Sequence, residues 1–326
     1  MRTGLGFVAL LAACSLASCA PQSFRLPRAP IAAGPAIRVD AHPVAERPAD
    51  TTQTPTRFAY AGGLALTSAD TSRLHGLSDL EVLPDGRLVA VSDEGDLVRG
   101  RLILDHAGRL IGVSDMTLAP LTGLSGAPLS GEKSDSDSEG LAILPNGDLM
   151  VSFERRHRIW IYPAEGGPPH AAPSPVAPFP DNAGMEALAL DPVAGPDAYV
   201  TGREDTRETW TCRLTGGCTP GLRPGEDRDG SLVAARALPA GRWAWLFRDF
   251  KPATGAVIRL LITDRAGRTI DDHRIAAPAT VDNFEGLAAR PRADGSVRFY
   301  LISDDNFSPA QRTLLLAFDW TPPTRH

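Results

Sequence analysis

An all-β fold built from repeated antiparallel units is predicted for this chain of 326 residues. An acidic or serine residue followed by a short apolar stretch and a Pro or Gly turn recurs, starting near Ser78, Glu139, Glu186 and Glu285. No segment keeps the apolar period of a helix over several turns, so long helices are not expected. Strand-turn-strand repeats of roughly 45 to 60 residues are typical of propeller blades. The sequence therefore predicts a β-propeller of about five blades, with six as the alternative, each blade a four-stranded antiparallel sheet.

The turns locate the individual strands. Pro84-Asp85-Gly86 separates two apolar stretches and is a hairpin signal. The first complete unit is predicted to have strands at 80–83, 88–92, 97–104 and 110–117. Further units are predicted within 141–179, 186–214, 231–275 and 287–318. The last unit has only three predicted strands, so we expect the isolated strand at 59–67 to complete it and close the ring, which removes exposed sheet edges.

The N-terminal residues have the composition of an export signal. Arg2 precedes an apolar run at 5–13, and Leu16-Ala17-Ser18-Cys19 follows. The ending resembles the bacterial lipobox, in which the cysteine becomes the lipidated first residue. We therefore predict a lipoprotein signal peptide at 1–18 and a lipid on Cys19 that anchors the protein at the periplasmic face of a bacterial membrane, with the outer membrane favoured. The alternative is ordinary cleavage after a residue such as Ala20, which would give a soluble periplasmic or secreted protein.

The rest of the chain divides by composition. Residues 19–56 are rich in Pro and Ala and predict an extended tether, part of which could lie on the propeller surface. The propeller domain is predicted at 57–320 and a short C-terminal tail at 321–326. The net charge of −6 argues against a nucleic-acid partner, which would require a basic surface. No feature of the sequence predicts the oligomeric state.

Cysteine usage agrees with export. Removal of the leader and lipidation would account for Cys14 and Cys19, which leaves Cys212 and Cys218 on either side of a short turn. A disulfide between them is predicted, because such bonds persist in oxidising compartments.

Acidic residues recur at two equivalent positions of the units. The start of the innermost strand has Glu139, Glu186 and Glu285, with Asp79 one residue further on in the first unit. The ends of the second strands carry further charged residues, among them Asp93, Glu154, Arg155, Arg248 and Asp304. The start of one strand and the end of its antiparallel neighbour lie at the same sheet edge. Both sets are therefore predicted to face one mouth of the central channel.

Crowded carboxylates must be protonated, paired with arginine or bound to a cation. Many oxygen ligands suit Ca²⁺, with Mg²⁺ as the second choice. We predict Glu139, Glu186 and Glu285 as metal ligands, with Asp79 and Asp304 as supplementary ones. The alternative is that the three glutamates form ion pairs with Arg155, Arg203 and Arg248.

Three short motifs resemble a known family. They are the segments 137–142, 283–288 and 301–307, which contain Glu-Gly-Leu-Ala twice and Ser-Asp-Asp-Asn once. They look like the phytase-like family, described by an esterase-like activity of phytase, over residues from about Arg57 to Trp320. The resemblance implies a secreted propeller that hydrolyses a small-molecule ester or phosphoester.

Metal-assisted hydrolysis at the acidic mouth is the function that we predict from these features. A divalent cation would polarise the substrate oxygen and lower the pKa of a water. Arg155 and Arg248 are predicted to hold the substrate's oxyanions, and Glu154 or Asp93 to act as the base. The alternatives are a non-catalytic propeller of the cell envelope that binds a ligand or protein, and a metal-dependent lactonase.

Other chemistry-bearing residues are interpreted as structural. No Gly-x-Ser-x-Gly motif is present, which disfavours a serine esterase of that type. His75, His157 and His273 fall in separate units and are interpreted as surface or packing side chains. The acidic segment from Ser130 to Ser138 is interpreted as a solvated loop.

Overall fold

The structure is a computed structural model that describes residues 36–45, 57–129, 132–226, 229–251, 255–277 and 280–323. The predicted signal peptide and Cys19 lie outside these residues. Among the described residues, no helix has the length and apolar character needed to cross a membrane. Strands account for most of the regular structure, and the only α-helix within the described ranges is the single turn α1 (Lys133–Ser136).

The strands form four-stranded antiparallel units, as predicted. The chain starts with β1 (Asp40–Pro43) and β2 (Phe58–Thr67). Unit I contains β3 (Leu77–Val82), β4 (Arg87–Ser92), β5 (Asp96–Leu104) and β6 (Leu110–Pro120). Unit II contains β7 (Ser138–Ile143), β8 (Leu149–Phe153), β9 (Arg158–Tyr162) and β10 (His170–Ala172). Unit III contains β11 (Met185–Leu190), β12 (Ala198–Arg203), β13 (Thr209–Arg213) and β14 (Cys218–Pro220).

Two further units complete the described strands. Unit IV contains β15 (Ser231–Leu238), β16 (Arg242–Lys251), β17 (Gly255–Thr263) and β18 (Thr269–Ala276). Unit V contains β19 (Asn283–Pro291), β20 (Val297–Asp304) and β21 (Leu314–Trp320), and β2 is its fourth strand. The predicted closure is confirmed, because β2 pairs antiparallel with β21. One end of the chain is thereby bonded to the other within a single sheet.

The first strands of the units line a common centre. Contacts run from β3 to β7, from β7 to β11, from β11 to β15, from β15 to β19 and from β19 back to β3. This closed cycle is the radial arrangement of a β-propeller, and the predicted fold class is confirmed. Units I and V are also joined where β2 passes β6, at Gly62 and Leu110. Gly62 has φ +113, and a Cβ there would collide with the Leu110 backbone, so this close approach requires glycine.

Apolar side chains fill the spaces between neighbouring units. Trp245 and Trp320 are among the largest fully buried side chains, and both lie on strands of these sheets. Burying an aliphatic or aromatic side chain contributes about 1.5 to 3 kcal/mol, so these contacts hold the units in register around the centre. The rigid sheets fix the positions of the strand ends, where the polar residues lie.

Part of the predicted tether belongs to the folded domain. β1 pairs antiparallel with β2, with Ala41 opposite Leu66. Ile37 is buried, and its backbone N–H donates to the Met116 carbonyl at 2.9 Å. Residues 36–45 of the predicted tether therefore pack on the propeller, which the prediction had left open for part of this segment. The remainder of 19–56 lies outside the described residues.

The predicted disulfide between Cys212 and Cys218 is confirmed. It joins β13 to β14, whose register places these two cysteines opposite each other. Sequence reasoning expected a turn here but not the fourth strand of unit III. A three-residue edge strand is too short to show an alternating pattern.

Candidate active site at the mouth of the channel

A β-bulge at the start of each innermost strand sets the first group of polar residues. In every unit the pairing of the first two strands skips one or two residues near this point. The skipped residues include Ser78, Glu139, Glu186, Val233 and Glu285. A bulge re-aims a side chain and is common beside active sites. The four positions aligned from the sequence are therefore equivalent in structure, and unit IV has a valine there.

A residue of each second strand that lies next to the bulge forms a second group beside the first. It directly follows or ends the second strand in units I, II, III and V, and it lies within β16 in unit IV. In unit II the Glu154 amide donates to the Asp137 carbonyl, and in unit III the Glu204 amide donates to the Gly184 carbonyl. The equivalent residues of the five units are Asp93, Glu154, Glu204, Arg248 and Asp304. Both groups lie at one end of the channel, as the antiparallel geometry predicts.

Carboxylate oxygens from units II and III approach one another at this mouth. Oxygens of Asp137, Glu139 and Glu154 lie within 4.8 Å of one another, and so do oxygens of Glu154, Glu186 and Glu204. Glu154 is common to both sets. Among the described residues, Glu139 and Glu186 have no hydrogen bond or ion pair with protein groups. Hard oxygen donors without other partners fit Ca²⁺ or Mg²⁺ better than a softer metal.

The electrostatics of the mouth favour a cation or protons. Burial, followed by neighbouring negative charges, raises the pKa of Glu139 and of Glu186 well above the ordinary range. Burial raises the pKa of Glu154 to about 7, although the Gly184 N–H at 2.5 Å opposes the shift. These carboxylates are under-compensated by the protein itself. A bound divalent cation would supply the missing positive charge.

The raised pKa values of the carboxylates predict that the metal-free protein becomes more stable as the pH falls towards neutrality. Glu154 and Asp93 both have a pKa raised to about 7 in the folded state, with burial the largest cause. In the unfolded chain such groups titrate near about 4, so between about pH 8 and pH 6.5 only the folded state takes up protons. Stability should therefore rise by about 1 to 2 kcal/mol as the pH falls through this window. Urea unfolding in chelator at both pH values measures the change.

A buried histidine limits the pH range in which protonation of the two carboxylates determines the change in stability. Burial lowers the pKa of His273 to about 4. The unfolded imidazole gains a proton below about pH 6.5, so His273 opposes folding only at lower pH. Added Ca²⁺ should reduce the pH dependence between about pH 8 and 6.5, because the cation replaces the protons. Stability that stays constant or falls from pH 8 to 6.5 in chelator would contradict the carboxylate assignment.

Ion pairing with arginine, the alternative to a metal, applies to one of the three predicted glutamates. Glu285 is bound by Arg248 and accepts a hydrogen bond from Asn283 at 2.9 Å. Arg248 also pairs with Glu204 at 3.1 Å. The structure therefore places Glu285 in an ion pair, which differs from the predicted role as a metal ligand. Arg248 lies at the mouth, as predicted for an oxyanion-binding residue.

The other two arginines pair elsewhere. Arg155 Nε donates to Asp137 at 2.7 Å, and its Nη2 donates to Asn182. Arg203 Nε donates to Asp205 at 2.5 Å. Neither arginine neutralises Glu139 or Glu186. Arg155 lies near the mouth but, unlike Arg248, does not line the polar cleft there, so its predicted role in holding a substrate oxyanion has no support from these contacts.

A lysine from the segment at 130–138 enters the mouth. Lys133 Nζ lies 2.5 Å from Asp93 and 2.6 Å from Asp137. Asp137 is 2% exposed, so the interpretation of this segment as a solvated loop is wrong for its C-terminal part. The helical turn α1 directs Lys133 inward, and this depends on tertiary packing that the sequence pattern did not reveal. Asp93 is thereby engaged in an ion pair and does not lie in either carboxylate set.

Asp304 and Asp79 lie apart from the carboxylate sets. Asp304 accepts a hydrogen bond from the Asn306 N–H at 2.7 Å, and burial raises its pKa well above the ordinary range. Asp79 is fully buried deeper in the channel, where both of its oxygens lie 2.9 Å from Arg236 Nη2. The Asp79 side chain is therefore an internal structural group and not part of the mouth, contrary to its predicted supplementary role.

A cleft next to Arg248 gives the mouth room for a ligand. Its volume is about 580 Å³, and its lining includes Arg248, Asn283, Ser231 and Asn306. These groups offer hydrogen-bond donors beside a buried positive charge. Asp205 and Asp249 also line the cleft, so its surface fits a strongly polar group.

The three histidines lie outside the carboxylate sets. His157 Nε2 lies 2.9 Å from the Pro180 carbonyl, and His273 stacks on Phe58 with ring centroids 4.6 Å apart. Both are packing residues, as interpreted from the sequence. His75 differs, because its Nδ1 lies 2.5 Å from Asp305 Oδ2 at the outer edge of the mouth.

Sequence reasoning missed Glu204 and Asp137 as members of the carboxylate sets. The sequence places Arg203 and Glu204 next to each other at the end of a second strand. Which of the two side chains faces the channel depends on the strand register, which the sequence pattern does not specify. Asp137 directly precedes β7, whereas the strand predicted from the sequence starts only at Leu141. Only the position of the bulge brings it to the mouth.

These observations define the molecule as a β-propeller with an acidic site at one mouth of its channel. The family model described as phytase-like, with esterase-like activity of phytase, matches residues 72–307. The chain belongs to this family, as its motifs indicated. No curated protein matched the sequence.

Several solved structures are similar to this chain over most of its length. A luciferin-regenerating enzyme superposes with a TM-score of 0.48 at 12% identity, covering 82% of this chain and 88% of that one. The calcium-binding protein regucalcin from Agrobacterium tumefaciens gives 0.45 at 16% identity, covering 82% and 86%. Virginiamycin B lyase from Staphylococcus aureus gives 0.44 at 10% identity, covering 87% and 100%.

Proposed function

We propose that this protein is an exported hydrolase that cleaves an ester or phosphoester at the acidic mouth with the help of a divalent cation, Ca²⁺ before Mg²⁺. The family match supports the hydrolase class. The observation that carries the proposal is the pair of carboxylate sets that share Glu154 and contain unpaired glutamates. Protein architecture alone does not need such a cluster, because unpaired like charges oppose folding.

The carboxylates of Glu186 and Glu204, which lie in one set, would hold the cation, with Glu139 in the adjoining set. Bound there, it would supply Lewis-acid polarisation of the scissile group and a more acidic water. Glu154 has an oxygen within 4.8 Å of an oxygen of each of these three residues. A pKa of about 7 suits proton exchange near neutral pH, so Glu154 would accept a proton from water at its carboxylate.

Arg248 would orient the substrate. It lies at the mouth and lines the polar cleft together with Asn283. Its pairs with Glu204 and Glu285 fix the guanidinium plane. A fixed guanidinium binds the oxygens of a phosphoryl or carboxyl group with defined geometry. Different residues would thus bind the cation, transfer the proton and bind the oxyanion.

Export and lipid anchoring at Cys19 are part of the proposal. The lipobox-like residues 16–19 favour an anchored protein at the periplasmic face of a membrane. The disulfide Cys212–Cys218 supports an oxidising compartment. Radiolabelled fatty acid should be incorporated by the wild type and not by Cys19→Ala.

Metal analysis combined with turnover tests the proposed chemistry. The purified protein is assayed on p-nitrophenyl phosphate, p-nitrophenyl acetate and a simple lactone, before and after chelation and after Ca²⁺ or Mg²⁺ is restored. We expect hydrolysis of at least one ester, loss with chelator and recovery with the cation. Bound metal without hydrolysis of any substrate would favour a binding propeller. Hydrolysis that persists in chelator would reject the role of the cation.

A further inference from the structure

A second cleft lies on the same face of the propeller as the acidic mouth, and its lining is mainly apolar. Its volume is about 690 Å³, which is within the range of small-molecule sites. The apolar part of its lining includes Ala65, Leu66, Leu74, Phe307 and Pro309. It lies between the end of β2 in unit V and the loop that precedes β3 in unit I. Water in such a cleft is readily displaced by an apolar group.

His75 and Asp305 form the boundary between this cleft and the mouth. Both residues line the cleft. Asp305 directly follows Asp304 of the mouth, and Asp305 Oδ1 accepts from the Gly76 N–H at 3.2 Å. The Gly76 carbonyl in turn accepts from the Asp93 N–H at 2.8 Å. One backbone segment therefore contacts both the cleft and the mouth.

Several hydrogen bonds fix the positions of Asp305 and His75 at this boundary. Asp305 Oδ2 accepts from the Thr313 hydroxyl at 2.9 Å and lies 2.5 Å from His75 Nδ1. The Phe307 N–H donates to Asp305 Oδ1 at 3.2 Å, and the Phe307 ring lies beside His75 with centroids 5.5 Å apart. The His75 side chain is 33% exposed, so its other ring nitrogen can bond to a ligand. The cleft thus combines an apolar wall with several polar side chains, of which His75 and Asp305 lie at the end nearest the mouth.

We propose that this cleft binds an apolar chain of the substrate, so that the preferred substrate is an uncharged carboxylic ester with an alkyl or aryl group. The inference rests on the proposed function, because the ester group itself would lie at the acidic mouth. A polyphosphorylated substrate would leave the cleft empty and would bring many negative charges to a mouth that is already acidic. His75 would contact a polar atom of the substrate where the chain enters the cleft.

Binding of uncleaved amide analogues tests the cleft separately from catalysis. N-methylacetamide is compared by calorimetry with N-methylhexanamide and N-hexylacetamide, which extend the chain on either side of the linkage. A fully buried methylene strengthens binding roughly fourfold, so we expect at least about tenfold tighter binding for one of the longer ligands. Equal affinity for the short and both long amides would overturn the proposal.

A matched pair of tryptophan variants locates the binding. Ser308 lines the cleft, whereas Ala310, two residues further in the same loop, is exposed and does not. Ser308→Trp should abolish the dependence on chain length, and Ala310→Trp should retain it. Equal loss in both variants, or no loss in either, would overturn the assignment. The same pair is assayed on p-nitrophenyl esters from acetate to octanoate.

The two measurements separate failure of the cleft from failure of the proposed function. Chain-dependent amide binding without hydrolysis of any ester would keep the cleft and reject the hydrolase. Ester hydrolysis with no dependence on chain length and no effect of Ser308→Trp would keep the hydrolase and reject the cleft.

Discussion

Replacing Arg236 with Met is expected to destabilise the protein by about 3 to 5 kcal/mol, a large part of the stability of an ordinary domain. Arg236 is 4% exposed and belongs to β15 of unit IV. Its Nη2 lies 2.9 Å from both oxygens of Asp79, and its Nε lies 3.1 Å from Glu81. Methionine fills similar space but leaves the buried Asp79 and the half-buried Glu81 without their cation.

The same network connects all five units through the centre of the ring. Asp79 belongs to unit I and accepts backbone hydrogen bonds from Leu141 of unit II at 2.8 Å and from Leu287 of unit V at 3.2 Å. Arg236 Nη1 donates to the Leu188 carbonyl of unit III at 3.0 Å. Removing Arg236 therefore weakens the packing of several inner strands at once. Loss of cooperativity in unfolding should accompany the loss of stability.

Chemical unfolding of the wild type and the variant measures this effect. Arg268→Met is the matched control, because Arg268 pairs with Asp264 but its side chain is 83% exposed. Surface pairs contribute about 1 kcal/mol or less, so the control should stay close to the wild type. The double variant Asp79→Leu/Arg236→Met should recover part of the loss, because it removes the buried charges together. A change below about 1 kcal/mol in Arg236→Met would contradict the structural role.

The fold could be predicted from the sequence because its determinants are local. Hairpin turns such as Pro84-Asp85-Gly86 and the apolar strands beside them specify the units without knowledge of long-range contacts. The partner of the isolated strand at 59–67 could be predicted by elimination, since only one unit lacked a strand. Residues 36–45 were assigned to a tether because β1 is a short, largely exposed edge strand with no alternating pattern.

The candidate site could be predicted only in part, because the composition of the repeat does not specify which side chains pair. The sequence repeat shows that Glu139, Glu186 and Glu285 occupy equivalent positions. The pairing of Glu285 with Arg248 depends on contacts between units, which the repeat does not specify. Asp79 lies one residue beyond the bulge, and one residue in a strand reverses the direction of the side chain. That single step places it in the interior with Arg236 rather than at the mouth.

Glu186→Gln is expected to reduce both cation affinity and hydrolysis at least roughly 100-fold. Glu186 is buried, belongs to one carboxylate set, and has no hydrogen bond or ion pair with other described residues. The amide keeps the size of the side chain but loses its negative charge. Calorimetric titration with Ca²⁺ and turnover of the best ester substrate measure the two losses. Glu208→Gln in the same unit, with a side chain 54% exposed, is the control.

The stability of the metal-free variant distinguishes a functional glutamate from a structural one. Burial and the charge of Glu204 raise the pKa of Glu186 in the wild type, so its ionised form opposes folding at alkaline pH. Removing that charge should leave the metal-free protein at least as stable as the wild type at about pH 8. Glu285→Gln should instead lower stability, because Arg248 would lose a buried partner. Unchanged cation affinity in Glu186→Gln, or unfolding of this variant in chelator, would show that Glu186 serves the architecture and does not hold a metal.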